Sequence, residues 1–135
     1  MASTNWAGNL TYSADSIHHP NSVAEVQQLV AQHSRVKALG TRHSFNTIAD
    51  SPGGALISLS KLPAEIAVDT DAMTVSVTGG TRYGVLAAQL QSQGYALHNT
   101  GSLPTSRWPA RPRPAPMVPA TATGSCPRPC PPSTW

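Results

Sequence analysis

RVKALGTRHSFN, residues 35–46, carries an alternating apolar stretch straight into a polar loop that opens on glycine. Arg35-Val-Lys-Ala-Leu39 alternates like a short strand, and Gly40 ends it. Loops at the ends of strands are where α/β modules place ligands. Gly40 permits close backbone approach or a positive φ. Successive backbone N–H groups in such a turn, with Ser44 and Asn46 as side-chain donors, can cradle an anion such as a pyrophosphate. His43 alone decides nothing, because a single histidine in a polar loop is most often a surface residue.

Outward from this loop, helix and strand signals alternate at close spacing. Upstream, Ser22-Val-Ala-Glu25 fits a capping box, in which Ser and Glu side chains satisfy free N–H groups at a helix start. Val23, Val26, Leu29 and Val30 then recur at helical spacing through about His33. Pro20 keeps the segment before it extended. Downstream, Ala55-Leu-Ile-Ser-Leu59 reads as a buried strand. Glu65–Val68 and Met73–Val77 read as two more, joined into a hairpin by Asp69-Thr-Asp-Ala72. A helix after Gly79-Gly80 places Tyr83, Leu86, Ala87 and Leu90 on one face and stops at Gly94. Tyr95-Ala-Leu97 begins another strand. The expected order is βαββββαβ, a mixed α+β module.

Composition changes at Pro104. Nine of the 13 prolines lie beyond it. Residues 1–104 carry a net charge of −1, whereas residues 105–135 carry four arginines and no acid. The basic balance therefore belongs to the tail, and the front offers no basic patch of the kind nucleic acid requires. Pro-rich sequence lacking aliphatic residues neither forms a helix nor pairs as a central strand, so 105–135 is expected to be disordered. Cys126 and Cys130 both lie there, leaving the front without disulfide or thiolate site, as in cytoplasmic proteins. The start lacks the charged-then-apolar pattern of a signal peptide, and no stretch approaches the roughly 18 apolar residues of a membrane helix. A soluble, cytoplasmic monomer is expected, with neither nucleic-acid nor membrane partner.

Weaker motifs fail on inspection. Gly79-Gly-Thr-Arg-Tyr-Gly84 has Thr81 where a dinucleotide fingerprint needs glycine, and it reads better as a tight strand-to-helix turn. His18, His19 and His33 have no acid or cysteine at ligand spacing, so no metal site is expected. Trp6 reads as a packing residue.

LGTRHSFN at 39–46, NWAGN at 5–9, GG-x-x-Y-G at 79–84 and GSLP at 101–104 occur together in this order. The set resembles the alditol (xylitol) oxidases, relatives of the aldonolactone oxidases within the vanillyl-alcohol-oxidase-type (PCMH-type) FAD family. The resemblance covers residues 5–104 and implies the first part of such an FAD-binding domain. It implies that His43 bonds covalently to the flavin 8α-methyl. Leu39, Gly40, Thr41, Arg42, Ser44, Phe45 and Asn46 would hold the FAD phosphates and flavin edge. Ser102, the catalytic candidate, would face flavin and substrate. The implied reaction oxidises a sugar alcohol or aldonolactone with O2 and forms H2O2; the alternative expectation is an inactive truncated product or a non-catalytic FAD-binding or interaction module. One departure stands out: many relatives have Gly-Ser-Gly before the histidine, where this chain has Gly40-Thr41-Arg42.

In the family, S-L-P continues as H-I-S-V-A-G and then A-T-G-T-H-G-S-G, the second phosphate-binding stretch. Here Thr105 breaks the pattern. Written as codons with free wobble bases and read one base earlier, Thr105–Ala110 permits His-Ile-Ser-Val-Ala-Gly, its Ala fixed by the single Trp codon. Arg113–Ala120 permits Ala-Thr-Gly-Thr-His-Gly-Ser-Gly, its Gly after His fixed by the single Met codon. A lost cytosine at the Pro104/Thr105 junction accounts for the tail. The expected organisation is a partial FAD-binding domain at 5–104 and an out-of-frame tail at 105–135. The general base and most of the substrate pocket are then expected in a second domain.

Overall fold

The computed structural model describes residues 3–99, 105–107 and 115–119. Among these residues two small sheets carry the fold. The first contains β1 (Ser16–His18), β2 (Val36–Ala38) and β3 (Ala55–Ile57), with β3 central and parallel to both neighbours. Helix α1 (Val23–Gln32) makes the crossover from β1 to β2. A strand flanked on both sides should be apolar throughout rather than alternating. Ala55, Leu56 and Ile57 are accordingly all buried. Ser22 caps α1 as its spacing predicts, its hydroxyl accepting from the Glu25 amide at 3.2 Å. The Glu25 carboxylate reaches one residue further back than a standard box, accepting from the Asn21 amide at 2.7 Å. The apolar stripe of α1 is only partly covered: Val26 and Leu29 are half-buried, Val23 and Val30 exposed.

The second sheet begins with the expected hairpin of β4 (Ile66–Asp69) and β5 (Thr74–Val77). Asp69 shapes the turn by accepting from the amides of Asp71 (3.1 Å) and Ala72 (2.8 Å). Gly80 follows β5 at φ +90, and a Cβ there would lie 2.4 Å from the Leu59 carbonyl oxygen, so no other residue fits. Helix α2 (Tyr83–Ser92) then lays Leu86 and Leu90 against Val75 and Val77, and Gly94 ends it at φ +81. Strand β6 (Tyr95–Leu97) follows. Elements up to here fall in the expected order and within a residue or two of the expected bounds.

One expectation is corrected. Ala115–Pro119 form a strand, β7, which lies between β5 and β6 and completes the order β4-β5-β7-β6. Met117 is buried with Val75, Val77, Leu86 and Leu90. Proline argued against a central strand here, but the register removes the objection. The Met117 amide donates to the Met73 carbonyl at 2.9 Å, so alternate residues of β7 turn their N–H toward β5. Pro116 turns its missing N–H to the β6 side before that pairing begins at Met117. Pro119 turns its own toward β5 after that pairing has ended at Ala115–Pro116. Each proline thus sits where no donor is required.

Candidate functional site

The loop after β2 is fixed from two sides. Leu39, buried, extends the ladder by donating its amide to the Ile57 carbonyl at 2.8 Å. From the other side comes the N-terminal segment, which folds on itself through a Thr4–Thr11 bridge. The Trp6 amide donates to the Arg42 carbonyl at 2.8 Å, and the Asn5 side chain donates to the Ser44 carbonyl at 3.0 Å. Between them, His43 lies against the Trp6 indole, ring centroids 5.3 Å apart and planes tilted by 43°. Its Nε2 is 3.4 Å from the Thr105 hydroxyl.

The left-handed residue of this loop is Arg42, at φ 65. Gly40 has no positive φ, and among the described residues a Cβ there would meet nothing within 4 Å. Arg42 occupies the position where many relatives have the second glycine of Gly-Ser-Gly. Its guanidinium donates to the Ser3 hydroxyl at 2.9 Å and the Thr4 carbonyl at 3.3 Å.

A cavity of about 510 Å³ opens at this loop, lined by Leu39, Gly40, Thr41, Arg42 and His43. Trp6, His19, Arg82 and Arg107 close its other walls, and among the described residues no carboxylate lines it. The Arg107 guanidinium donates to the Gly80 carbonyl at 2.5 Å, and Arg107 pairs with Arg82 in an isolated antiparallel bridge. Partial burial, with the Arg82 charge added, lowers the Arg107 pKa from its ordinary value. Like charges directly opposite one another destabilise an antiparallel pair, and an anion in the cavity would offset this. The donor chemistry suits a diphosphate.

Not every expected site residue faces this cavity. Ser44 lines a separate cavity of about 260 Å³ behind the loop, along with Tyr12 and Ala49. Its hydroxyl donates to Asn46, and the Asn46 side chain accepts from the Ile48 amide (3.2 Å) to cap the 3-10 helix Thr47–Ala49. Both side chains are thus engaged within the loop, while Arg42, Arg82 and Arg107 line the larger cavity. Phe45 is 70% exposed and lines neither cavity. Ser102 lies outside the described residues. Arg82 lies within the GG-x-x-Y-G motif, and His19 stands out in the sequence only as a candidate metal ligand; neither these nor Arg107 could be assigned to this cavity from the sequence, because they are brought in from distant turns. Trp6 carried a signal, the NWAGN motif.

Asp50 holds the second anchor beneath the loop. Its carboxylate accepts from the Ser13 hydroxyl (2.6 Å) and amide (2.9 Å) and from the Ser51 amide (2.8 Å). Burial alone would raise its pKa, but these hydrogen bonds outweigh it and leave the carboxyl below its ordinary value. Burial raises the Tyr12 phenol, opposed by Arg42 and assisted by Asp50. Among the described residues no helix is long and apolar enough to cross a membrane, and no group of three or more His, Cys, Asp or Glu could hold a metal ion.

Residues 14–107 match the FAD binding domain family. The chain belongs to that family. It is 49% identical over 105 residues to an alditol oxidase of Streptomyces sp., covering 76% of this chain and 25% of the relative. It is 33% identical over 104 residues to an L-gulono-1,4-lactone dehydrogenase of Mycobacterium tuberculosis, covering 74% and 24%. This FAD-binding domain thus spans about a quarter of the length of these relatives and corresponds to their N-terminal FAD-binding region. Among solved structures, cholesterol oxidase from B. sterolicum superposes with a TM-score of 0.63 at 15% identity, covering 78% of this chain and 22% of that one. That likeness concerns the fold. The cofactor of the family is FAD, and the arginine-lined cavity, with no described residue crowding Gly40, fits its diphosphate.

Proposed function

We propose that this chain is the opening part of a cytoplasmic, monomeric FAD-dependent oxidase that acts on the CH–OH group of an alditol, xylitol or sorbitol, or of a sugar-1,4-lactone. The observation that carries the reading is the carboxylate-free cavity against which His43 is held by Trp6. Identity of 49% to an alditol oxidase favours the alditol over the lactone. When bound, FAD supplies the hydride acceptor and passes the electrons to O2, giving H2O2. Gly40, Thr41 and Arg42 would hold the diphosphate by backbone N–H groups and charge, with Arg82 opposite. His43 would form the tether to the 8α-methyl, and Ser102 would face flavin and substrate. Leu39 holds the loop on its strand, while Ser44, Phe45 and Asn46 shape its far side.

The 135-residue chain itself is a second matter. We read residues 105–135 as out of frame. Two observations support this: the family match ends at Arg107, beside the proposed junction, and the alternate frame regains the family's pattern at once. Read in this frame, residues 105–135 do not spell the family's second glycine-rich stretch, and intact-mass measurement of the 135-residue chain after incubation with FAD should show no adduct. Inserting one cytosine at the Pro104/Thr105 junction and translating onward should yield a yellow protein. Its flavin should survive acid precipitation, and it should release peroxide with xylitol, sorbitol or an aldonolactone. His43→Ala in that background should leave any flavin extractable by acid. A colourless frame-restored protein would sink the oxidase reading, and acid-stable flavin in His43→Ala would move the tether elsewhere.

A further inference from the structure

The N-terminal segment does more than pack. Asn5 is only 4% exposed, and its amide is engaged at both ends: Nδ2 donates to Asn9 Oδ1 (2.7 Å) and to the Ser44 carbonyl (3.0 Å), and Oδ1 accepts from the Leu10 amide (3.1 Å). A buried, satisfied polar network of this kind is rigid, because each partner lost would leave a desolvated group behind. Among the described residues its bond to a distant segment falls on the residue after His43. The Trp6 amide bonds the residue before it. Two neighbouring residues of one segment therefore grip the backbone on both sides of a single histidine.

Trp6 is 69% exposed, so it contributes little as a core anchor. Among the described residues its ring contact is to the His43 imidazole. An exposed indole set against one imidazole restricts that ring's rotation while leaving its other side open to the cavity.

We propose that Asn5 and Trp6 are positioning residues for His43: Asn5 locks the loop backbone and Trp6 sets the plane of the imidazole that meets the cofactor. The proposal rests on the reading of His43 as tether. Bond formation at an imidazole nitrogen requires a ring held near its attack geometry, which a free loop histidine does not offer.

The test uses the 135-residue chain without flavin, with diethyl pyrocarbonate as a small electrophile. The rate of ethoxycarbonylation at His43 is read by peptide mass spectrometry, with His33 as internal reference. A diffusing electrophile needs only an uncovered nitrogen, whereas a bound cofactor needs a fixed ring plane, so Trp6→Leu should raise the His43 rate about threefold or more, the size expected for losing one aromatic pair. It should also move the His43 ring protons downfield as the indole ring current is lost. Trp6→Phe should restore both toward the parent values. Asn5→Asp keeps the size but removes the Nδ2 donor, and should raise the rate as well. Should Asn5→Asp fail to fold, the Trp6 pair decides, since that residue is exposed. An unchanged rate and unchanged ring shifts in a folded Trp6→Leu chain would overturn the proposal, as would Trp6→Phe behaving like Trp6→Leu. Because no flavin is present, such a result leaves the tether assignment standing. An untethered frame-restored protein would remove that assignment while leaving these rates intact.

Discussion

Arg42 holds a conformation that costs a residue with a Cβ about 1–2 kcal/mol, and it does so in the loop that shapes the cavity. Glycine at this place would carry no such penalty. What Arg42 offers in exchange is a positive charge on the cavity wall and two exposed hydrogen bonds to Ser3 and Thr4. Two substitutions separate these effects. Arg42→Ala loses the bonds and keeps the strain, whereas Arg42→Gly loses the bonds and relieves it. Chemical denaturation should therefore find Arg42→Gly more stable than Arg42→Ala by about 1 kcal/mol, after allowing for the extra freedom of glycine in the unfolded chain. Equal stabilities would mean that the loop relaxes out of the left-handed region when the arginine is absent.

At the scale of elements, Asp50 ties the end of a 3-10 helix to the N-terminal segment through Ser13. Its pKa is depressed below the 3.8 of an unperturbed aspartate. The native state thus binds this proton less readily than the unfolded state, so the contribution is present above about pH 4 and fades as pH falls through the folded value. Thermal melts of the parent chain should lose stability on acidification below that point. Asp50→Asn should be less stable at pH 7 and show a shallower acid dependence; parallel melting curves for the two would count against the role given to Asp50. Local pattern made much of this scale legible. Ser22 with Glu25, the Asp69 turn, Gly80 and Gly94 each mark an element boundary by a bond or dihedral that the residue type dictates. The His43 loop was legible for the same reason, as a polar turn after a strand. Arg82, Arg107 and His19 were not, because their arrival at the cavity depends on how separate elements pack. Strand β7 was hidden by a rule applied without a register: proline is excluded only where its N–H has a partner to face.

The described residues divide into a parallel sheet that presents the His43 loop and an antiparallel sheet that supplies the apolar core. Strand β7 pairs with β5 through its first residues and with β6 through its last. Without it, β5 and β6 become two raw edges facing one another across a gap one strand wide, with Val75, Val77 and Leu90 uncovered beneath. Such edges accept strands from any chain that offers one. A chain ending at Arg107 should therefore melt lower and associate with rising concentration, as read by light scattering. An added peptide spanning residues 113–121 should reverse both, entering the gap as a donated strand. A shortened chain that stays monomeric and melts unchanged would show that the sheet closes without this help. If the peptide works, the antiparallel sheet is an open socket, and a second copy of the same chain carries the plug.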